Sequence, residues 1–226
     1  MIIEIISDIH VDKSNFGLTL VKDVDLLIVA GDICNGFEES IFQDFKERCK
    51  SYPKVLYVTG NHEYYGCDYQ TVNKQIKDLF KDSNIDFLNN ESLIIDNIKF
   101  VGSTCWTKID PRWEMRVRLG INDYSEDYGI RHLGKIITPR ITNMWNNEAF
   151  QFLNKKIEKD CIVITHHSPS QMSCPKDFKG HLLNSAYANN YENFILDREP
   201  KYWIHGHMHT QTDYELGNSR VICHAY

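Results

Sequence analysis

The sequence predicts an α/β fold in which two β-sheets pack face to face between outer layers of helix. Three observations predict it. Short apolar runs alternate with helical segments, two hairpin patterns add antiparallel strands, and polar residues directly follow the runs. The 226 residues, 42% of them hydrophobic, suit one globular domain with a sizeable core. We therefore expect a single domain over residues 1–226, a four-layer α/β/β/α sandwich of two mixed sheets.

Five apolar runs predict the central strands, at residues 2–6, 25–30, 54–59, 161–165 and 202–204. Near-continuous runs of this length are typical of strands that are covered on both faces. Apolar residues at helical spacing predict helices at 38–49 and 69–81, and a further helical segment at 148–157. Two hairpins, 93–96 with 99–102 and 212–216 with 220–223, would supply the antiparallel strands.

The stretch from about 105 to 145 differs from the rest, because it has weak periodicity and is rich in Trp, Arg, Asp and Tyr. It predicts a long connection over one end of a sheet. Trp106, Arg112 and Arg116 are candidate substrate contacts there, since an aromatic ring can stack on a base and a guanidinium can pair with phosphate oxygens. The alternative is that these residues pack the connection onto the body and form ion pairs with its acidic residues. Those are Asp110, Glu114, Asp123 and Glu126.

Charge and cysteine content exclude several classes of protein. The formal net charge of −6 argues against a strongly basic nucleic-acid clamp. The seven cysteines contain no CxxC pair, so neither a zinc ribbon nor a disulfide framework is indicated. The chain reaches Asp8 before any long apolar run and has no stretch with the length of a membrane helix. A cytoplasmic protein without a membrane partner is the expectation, with the oligomeric state left open.

Residues of metal-ligand type directly follow the predicted strands. They are Asp8, His10, Asp32, Asn61, His62, His166, His207 and His209. The carboxyl ends of strands in such sheets share one edge, so these side chains can converge. Mixed imidazole, carboxylate and amide ligands fit a pair of divalent ions. The ligand types alone cannot choose between zinc, iron or nickel, which imidazole suits, and manganese or magnesium, which the oxygen ligands suit. Manganese is the working expectation, with iron, zinc or nickel as alternatives. Two such ions can grip the attacking and leaving oxygens of a phosphate ester and make hydroxide available at neutral pH.

Five sequence blocks carry a family resemblance. Asp8-x-His10, Gly31-Asp32, Gly60-Asn61-His62-Glu63, His166 and Gly206-His207-Met208-His209 resemble, in order, the motifs of the calcineurin-like metallophosphoesterase superfamily. The resemblance implies that Asp8, His10 and His209 bind one ion, and that Asn61, His166 and His207 bind the other. It also implies that Asp32 bridges the two ions, and that His62 is catalytic, contacting the phosphate and assisting the leaving oxygen.

Three neighbouring residues have less definite roles. His167 is the alternative to His166 as a ligand, or else a phosphate contact. Glu63 would orient His62 or hold a neighbouring backbone group. Asn35 is a candidate contact of the substrate or of a ligand.

The sequence blocks also limit the classes of substrate that are expected. Ile33-Cys34-Asn35-Gly36 replaces the rest of the GDxVDRG motif of phosphoprotein phosphatases, and no Arg precedes Gly60. Both departures disfavour a phosphoprotein substrate. The favoured partner is a small phosphoester or nucleotide, with a diester preferred. The alternatives are a nuclease or RNA-processing enzyme, with nucleic acid as the partner, and a catalytically inactive, metal-free interaction scaffold.

Overall fold

The structure, a computed structural model, describes residues 1–11 and 23–225. One sheet holds four parallel strands in chain order: β1 (Ile3–Ile6), β2 (Leu26–Ala30), β3 (Val55–Val58) and β4 (Ile85–Phe87). Helices α1 (Glu39–Cys49) and α2 (Tyr69–Phe80) connect β2 to β3 and β3 to β4. Each predicted element of this half is confirmed to within one residue. The sequence reasoning missed β4, because its three residues are too few to show a period.

The second sheet is mixed. Its strands are β5 (Glu91–Ile95), β6 (Ile98–Ser103), β9 (Ile162–Thr165), β10 (Tyr202–His205), β11 (Thr212–Leu216) and β12 (Ser219–Cys223), in the spatial order β11-β12-β10-β9-β6-β5. The four middle strands are parallel, and the two predicted hairpins place an antiparallel strand at each edge. Both hairpins join this sheet, which explains why the first sheet is parallel throughout instead of mixed as expected.

The apolar side chains fall into layers. Ile28 and Val58 of the first sheet meet Phe100 and Ile164 of the second in the layer between the sheets. Phe42 of α1 and Ile76 of α2 pack on the outer face of the first sheet. Helices α4 (Pro139–Lys156) and α5 (Glu192–Arg198) cover the outer face of the second sheet through Leu153 and Ile195. The four-layer α/β/β/α order predicted from the sequence is confirmed.

The stretch 105–145 contains more regular structure than its weak periodicity suggests. It holds helix α3 (Glu114–Gly120), the short hairpin strands β7 (Arg131–His132) and β8 (Lys135–Ile136), and 3-10 turns at Pro111–Trp113 and Asn122–Tyr124. Its last residues already belong to α4, which begins at Pro139, well before the predicted position 148. Asn143 and Asn146 of this part of α4 hydrogen-bond the backbone of residues 106 and 109, so tertiary contacts offset their weak helix propensity.

Within residues 1–11 and 23–225, no helix combines the length and the apolar character needed to cross a membrane.

Candidate metal centre

Ligand-type side chains from both sheets converge at the carboxyl ends of the strands. They form two groups, and within each group the ligand atoms all lie within 4.8 Å of one another. One group contains Asp8, His10, Asp32 and His209, and the other contains Asp32, His166 and His207. Asp32 is common to both. Its carboxylate could therefore serve two neighbouring cations.

The backbone at these strand ends is left-handed. The φ angles are 56° at Asp8, 40° at His10, 57° at Asp32, 67° at His207 and 45° at His209. Asp and His adopt this region more readily than most residues, but each instance still costs of order 1–3 kcal/mol. Such strain persists where the surrounding structure enforces it, typically at functional sites. Here it turns successive side chains into one cleft.

Two glycines permit the close approach of the strand ends. A Cβ on Gly60 would lie 2.0 Å from Asp32 Oδ1 and 2.6 Å from His166 Cε1. A Cβ on Gly31, whose φ is +89°, would lie 2.5 Å from both the Gly60 nitrogen and His166 Nδ1. No side chain fits at either position. The glycine that precedes each polar residue in the blocks Gly31-Asp32 and Gly60-Asn61 is thus a steric requirement of the site.

His166 is buried at the centre of the cluster. Its Nδ1 lies 2.8 Å from the carbonyl oxygen of Ala30, to which it donates, so Nε2 faces the site. Nε2 lies 3.2 Å from Asn61 Oδ1 and 3.3 Å from Asp32 Oδ2. Burial alone would lower the pKa of His166, but the nearby carboxylates of Asp32 and Asp8 raise it to about 10. The site therefore favours positive charge at this position.

Asp8 links the two sheets. Its carboxylate accepts hydrogen bonds from the backbone nitrogen of His207, at 2.9 and 3.1 Å, and from the Ser7 hydroxyl. His209 Nε2 lies 3.6 Å from Asp8 Oδ1. The end of β1 is thereby tied to the residues that follow β10, and the two groups of ligand-type residues have a fixed separation.

The Asn61 amide is oriented by two residues outside the sequence blocks. Its Nδ2 donates to Asp123 Oδ1 at 2.9 Å and to the Tyr65 hydroxyl at 3.1 Å, which leaves Oδ1 facing His166. Sequence reasoning treated Asp123 only as an acidic residue of a surface ion pair, whereas the carboxylate is buried. Burial raises its pKa to about 6. No sequence signal could identify it, because it lies 62 residues from its partner in a weakly periodic stretch.

Glu63 holds the loops after β2 and β3 together. The buried carboxylate accepts hydrogen bonds from the backbone nitrogens of Asp32, Ile33 and Gly60, at 3.2, 2.7 and 2.8 Å, and from the Tyr57 hydroxyl at 2.9 Å. Of the two roles expected for Glu63, these contacts match the one in which it holds backbone groups. It fixes the positions of Asp32 and Asn61 relative to each other.

His62 and Asn35 form a pair at the edge of the cluster. His62 Nδ1 lies 2.5 Å from Asn35 Oδ1, and the His62 backbone nitrogen donates to Asp32 Oδ1 at 3.0 Å. The other ring nitrogen, Nε2, lies 3.8 Å from Asp32 Oδ2. His62 is partly exposed and lines an open cavity at the centre. It can therefore reach a ligand that enters from solvent.

The other candidate residues lie behind or outside the cluster. His167 is buried, its Nδ1 faces the Thr104 carbonyl oxygen at 3.2 Å, and it belongs to neither group of ligand-type atoms. Trp106 is also buried and packs against the His167 ring, at 5.1 Å between centroids. Arg112 is exposed and paired with Asp110 at 2.5 Å. Neither Arg112 nor the exposed Arg116 is among the described residues that line the cavities beside the cluster.

The donor set fits divalent cations. Nε2 of His207 is a buried atom without a hydrogen-bond partner in the described part of the chain. Burial lowers the pKa of His207 well below its usual range, so the ring is neutral, as a metal ligand must be. Two buried carboxylates, Asp8 and Asp32, need nearby positive charge. Carboxylate oxygens and neutral imidazole nitrogens at these distances match the chemistry of a two-cation site.

Comparison with known proteins identifies the family. The family model for calcineurin-like phosphoesterases matches residues 1–211, nearly the whole chain. The chain belongs to the calcineurin-like phosphoesterase family. Members depend on a pair of metal ions, and this phosphoesterase is accordingly a hydrolase of phosphoric ester bonds.

Individual relatives agree with this placement. The phosphoesterase is 32% identical over 206 residues to an uncharacterized protein of Acanthamoeba polyphaga mimivirus, covering 83% of this chain and 73% of the viral one. Phosphopantetheinyl hydrolase from Mycobacterium tuberculosis superposes with a TM-score of 0.73 at 12% identity, over 100% of this chain and 89% of that one. A putative 5'-nucleotidase from Staphylococcus aureus superposes with a TM-score of 0.51 at 12% identity, over 98% of this chain and 48% of that one. At such low identity, the two solved structures establish the fold alone.

Proposed function

We propose that this phosphoesterase hydrolyses a phosphodiester or nucleotide-type ester at two divalent ions. Asp8, His10, Asp32 and His209 would hold one ion, and Asp32, Asn61, His166 and His207 the other. The observation that carries this proposal is the position of Asp32, which is shared by two compact groups of ligand-type atoms. His166 is preferred to His167 because only His166 has a ring nitrogen in a group.

When bound, a pair of divalent ions would polarise the phosphoryl group and lower the pKa of an attacking water molecule. The residues of the chain place the substrate and handle the proton of the leaving group. His62 is the proposed proton donor. Asn35 engages Nδ1 of its ring, so Nε2 is directed toward the cavity beside Asp32. Imidazole suits this role because its ordinary pKa lies close to neutral pH.

The lining of the cavity at the metal centre favours a diester substrate over a monoester. It has a volume of about 290 Å³ and is lined by residues that include His62, Tyr65, Asn122 and Tyr187. Lys and Arg do not occur among its described lining residues. Neutralisation of the phosphate is thus left to the cations and to histidine. A diester carries one negative charge near neutral pH and a monoester close to two, so this lining suits the diester better.

The proposal includes a single domain over the whole chain. Asp123, within the stretch 105–145, hydrogen-bonds Asn61 in the centre, so this stretch contributes directly to the site. Manganese is the proposed ion, since oxygen ligands from Asp and Asn accompany the imidazoles; iron, zinc and nickel are the other ions that this set accepts.

Hydrolysis of two chromogenic esters tests the proposal. Purified protein is loaded with manganese, and kcat/KM is measured with bis(p-nitrophenyl) phosphate and with p-nitrophenyl phosphate. We expect the diester to be preferred and Asp32→Asn to abolish both activities. A preference for the monoester would contradict the substrate class. Absence of both turnover and bound metal at every ion tested would contradict the whole proposal and favour the scaffold alternative.

A further inference from the structure

A second cavity adjoins the metal centre, and its walls are mainly carbon. It has a volume of about 320 Å³, within the range of small-molecule sites. The residues that separate it from the central cavity, Tyr187, His207 and His209, line both spaces. The Tyr187 ring lies against the His207 ring, at 5.1 Å between centroids. A molecule bound at the centre can therefore extend past Tyr187 into this second cavity.

The outer wall is formed by the connection between β9 and α5. The connection contributes four lining residues, Pro175, Phe178, His181 and Leu183, and Met208 lines the cavity from the segment after β10. Met208 is buried against Cys223. Asp, Glu, Lys and Arg are absent from the described lining residues. An uncharged group can enter without losing a charge partner, whereas a cationic group would meet no carboxylate among these residues.

Internal hydrogen bonds preform this wall. The Ser173 hydroxyl lies 2.9 Å from Nε2 of the buried His205 and 3.0 Å from the Tyr214 hydroxyl, which fixes the wall to β10 and β11. Asn184 Nδ2 donates to the Phe178 carbonyl oxygen at 2.8 Å, and Gln171 Nε2 donates to the Ala188 carbonyl oxygen at 2.9 Å. The cavity is consequently a built feature of the fold. A ligand would gain from contacts that need little reordering.

The same connection exposes apolar side chains to solvent. Phe178 is 58% exposed, Met172 54% and Leu182 39%. Of these, Phe178 lines the cavity, and an exposed apolar side chain beside a cleft is available for ligand contact. Phe178 and His181 pack nearly perpendicular to each other, at 6.4 Å between centroids, so aromatic surface is available at the cavity mouth. An aromatic ring fits such walls well, because ring pairs favour offset and edge-to-face contacts.

We infer that this cavity, which we call the Phe178 pocket, binds an uncharged aromatic substituent of the phosphoester. The inference rests on the proposed function, because the shared wall defines the pocket relative to a phosphate at the metals. The chemical class of substrate is then a phosphoester with a neutral ring on one ester oxygen, recognised by shape and ring contacts. Hydrogen-bond readout of the ring edge would be minor, since the Asn184 amide nitrogen is already engaged by the Phe178 carbonyl.

Phosphonates that cannot be hydrolysed test the pocket apart from turnover. Binding of methyl-, benzyl- and phenethylphosphonate to the manganese-loaded protein is measured by calorimetry. We expect at least one aromatic phosphonate to bind about 3- to 10-fold more tightly than methylphosphonate. Phe178→Ala and Leu183→Ala should reduce that ratio toward one, and Phe178→Leu should retain part of it. Ile94→Ala, at an exposed apolar site on β5 away from the cavity, should leave the ratio unchanged.

Each outcome has a distinct meaning. If methylphosphonate and the aromatic phosphonates bind equally, the inference that the pocket binds an aromatic group is overturned, while the proposed function stands. If the aromatic advantage survives both alanine variants, with their thermal unfolding unchanged, the ring binds elsewhere and the pocket is overturned as well. If none of the phosphonates binds protein that carries manganese although bis(p-nitrophenyl) phosphate is hydrolysed, the pocket alone is overturned; if there is neither binding nor hydrolysis, the proposed function fails and the pocket fails with it.

Discussion

At the scale of single residues, hydrogen bonds orient the side chains of the candidate metal centre. These bonds engage the side-chain atoms that point away from the ion site. Ala30 holds Nδ1 of His166, Asp123 holds the amide nitrogen of Asn61, and Asn35 holds Nδ1 of His62. Each bond leaves the opposite nitrogen or oxygen directed into the cleft. Such outer partners set ligand orientation, and their loss weakens metal sites even though they touch no ion.

The adjacent histidines offer a matched pair for testing ligand identity. His166→Ala should remove a ligand and reduce bound manganese toward one ion per chain, because Nε2 of His166 lies with Asp32 and His207. His167→Ala should retain both ions, since its ring faces Thr104 and Trp106. Elemental analysis after dialysis measures the metal content. The assignment is wrong if His167→Ala loses metal and His166→Ala keeps it.

Asp123 provides a test of ligand orientation. Asp123→Ala should weaken manganese binding about 10- to 100-fold, because the Asn61 amide loses the acceptor that directs its oxygen inward. Asp123→Asn should retain most of the affinity, since its own amide oxygen can accept the same hydrogen bond. Calorimetric titration measures both. Asp110→Ala is the control in the same stretch, because Asp110 pairs with the exposed Arg112. If Asp110→Ala and Asp123→Ala lose the same amount of manganese affinity, the role of Asp123 is contradicted.

The proton-donor role proposed for His62 can be tested separately from metal binding. His62→Ala should lower kcat by about 10²- to 10⁴-fold and leave both ions in place, because the ring faces the cavity beside Asp32 without belonging to either group. Asn35→Ala should lower kcat less, since only the ring orientation is lost. Steady-state kinetics and metal analysis on the same samples decide this. Loss of metal from His62→Ala would contradict its assignment.

At the scale of elements, the strand ends explain what the sequence can predict. The central strands can be predicted because they are mostly buried apolar runs, and each proposed metal ligand lies within four residues of the end of one of them. The left-handed backbone of His207 and His209 cannot be predicted from the sequence, because the preference of His for this region is too weak to identify single positions. Helix α5 and the start of α4 were also missed, because tertiary packing of Ile195 and Trp145 decides them more than periodicity does. Asp123 was missed for the same reason, because its role depends on a distant partner.

The ends of β2, β3 and β9 approach closely at Gly60, and a substitution there tests whether the metal centre requires glycine. Gly60→Ala should sharply reduce manganese affinity, because the added methyl group would displace the Asp32 carboxylate and the His166 ring. Gly134→Ala is the control. Its φ of +77° should cost roughly 1–2 kcal/mol of stability, but no described atom lies within 4 Å of the added carbon. Metal titration and thermal unfolding of both variants measure this; unchanged metal affinity in Gly60→Ala would contradict the steric argument.

At the scale of the whole molecule, the centre joins the two sheets at one end of the sandwich. Asp8 of the first sheet accepts from His207 after β10, and His166 after β9 donates to Ala30 at the end of β2. Ser7 also pairs with Ala225 beyond β12. Cations bound here would have ligands from both sheets. Metal binding should therefore stabilise the entire fold, not merely one loop.

Thermal unfolding tests this coupling. Manganese at about 100 times its Kd should stabilise the protein by roughly 2.7 kcal/mol, which corresponds to a Tm increase of about 5–10 °C for a chain of this size. A chelator should reverse the shift. Asp32→Asn should abolish it, because that carboxylate belongs to both groups of ligand-type atoms. Each shift is measured against the same protein without metal, because Asp32→Asn also loses the attraction between the Asp32 carboxylate and His166. A manganese-induced shift of equal size in wild type and Asp32→Asn would show that the ions bind elsewhere and that the sheets are joined without them.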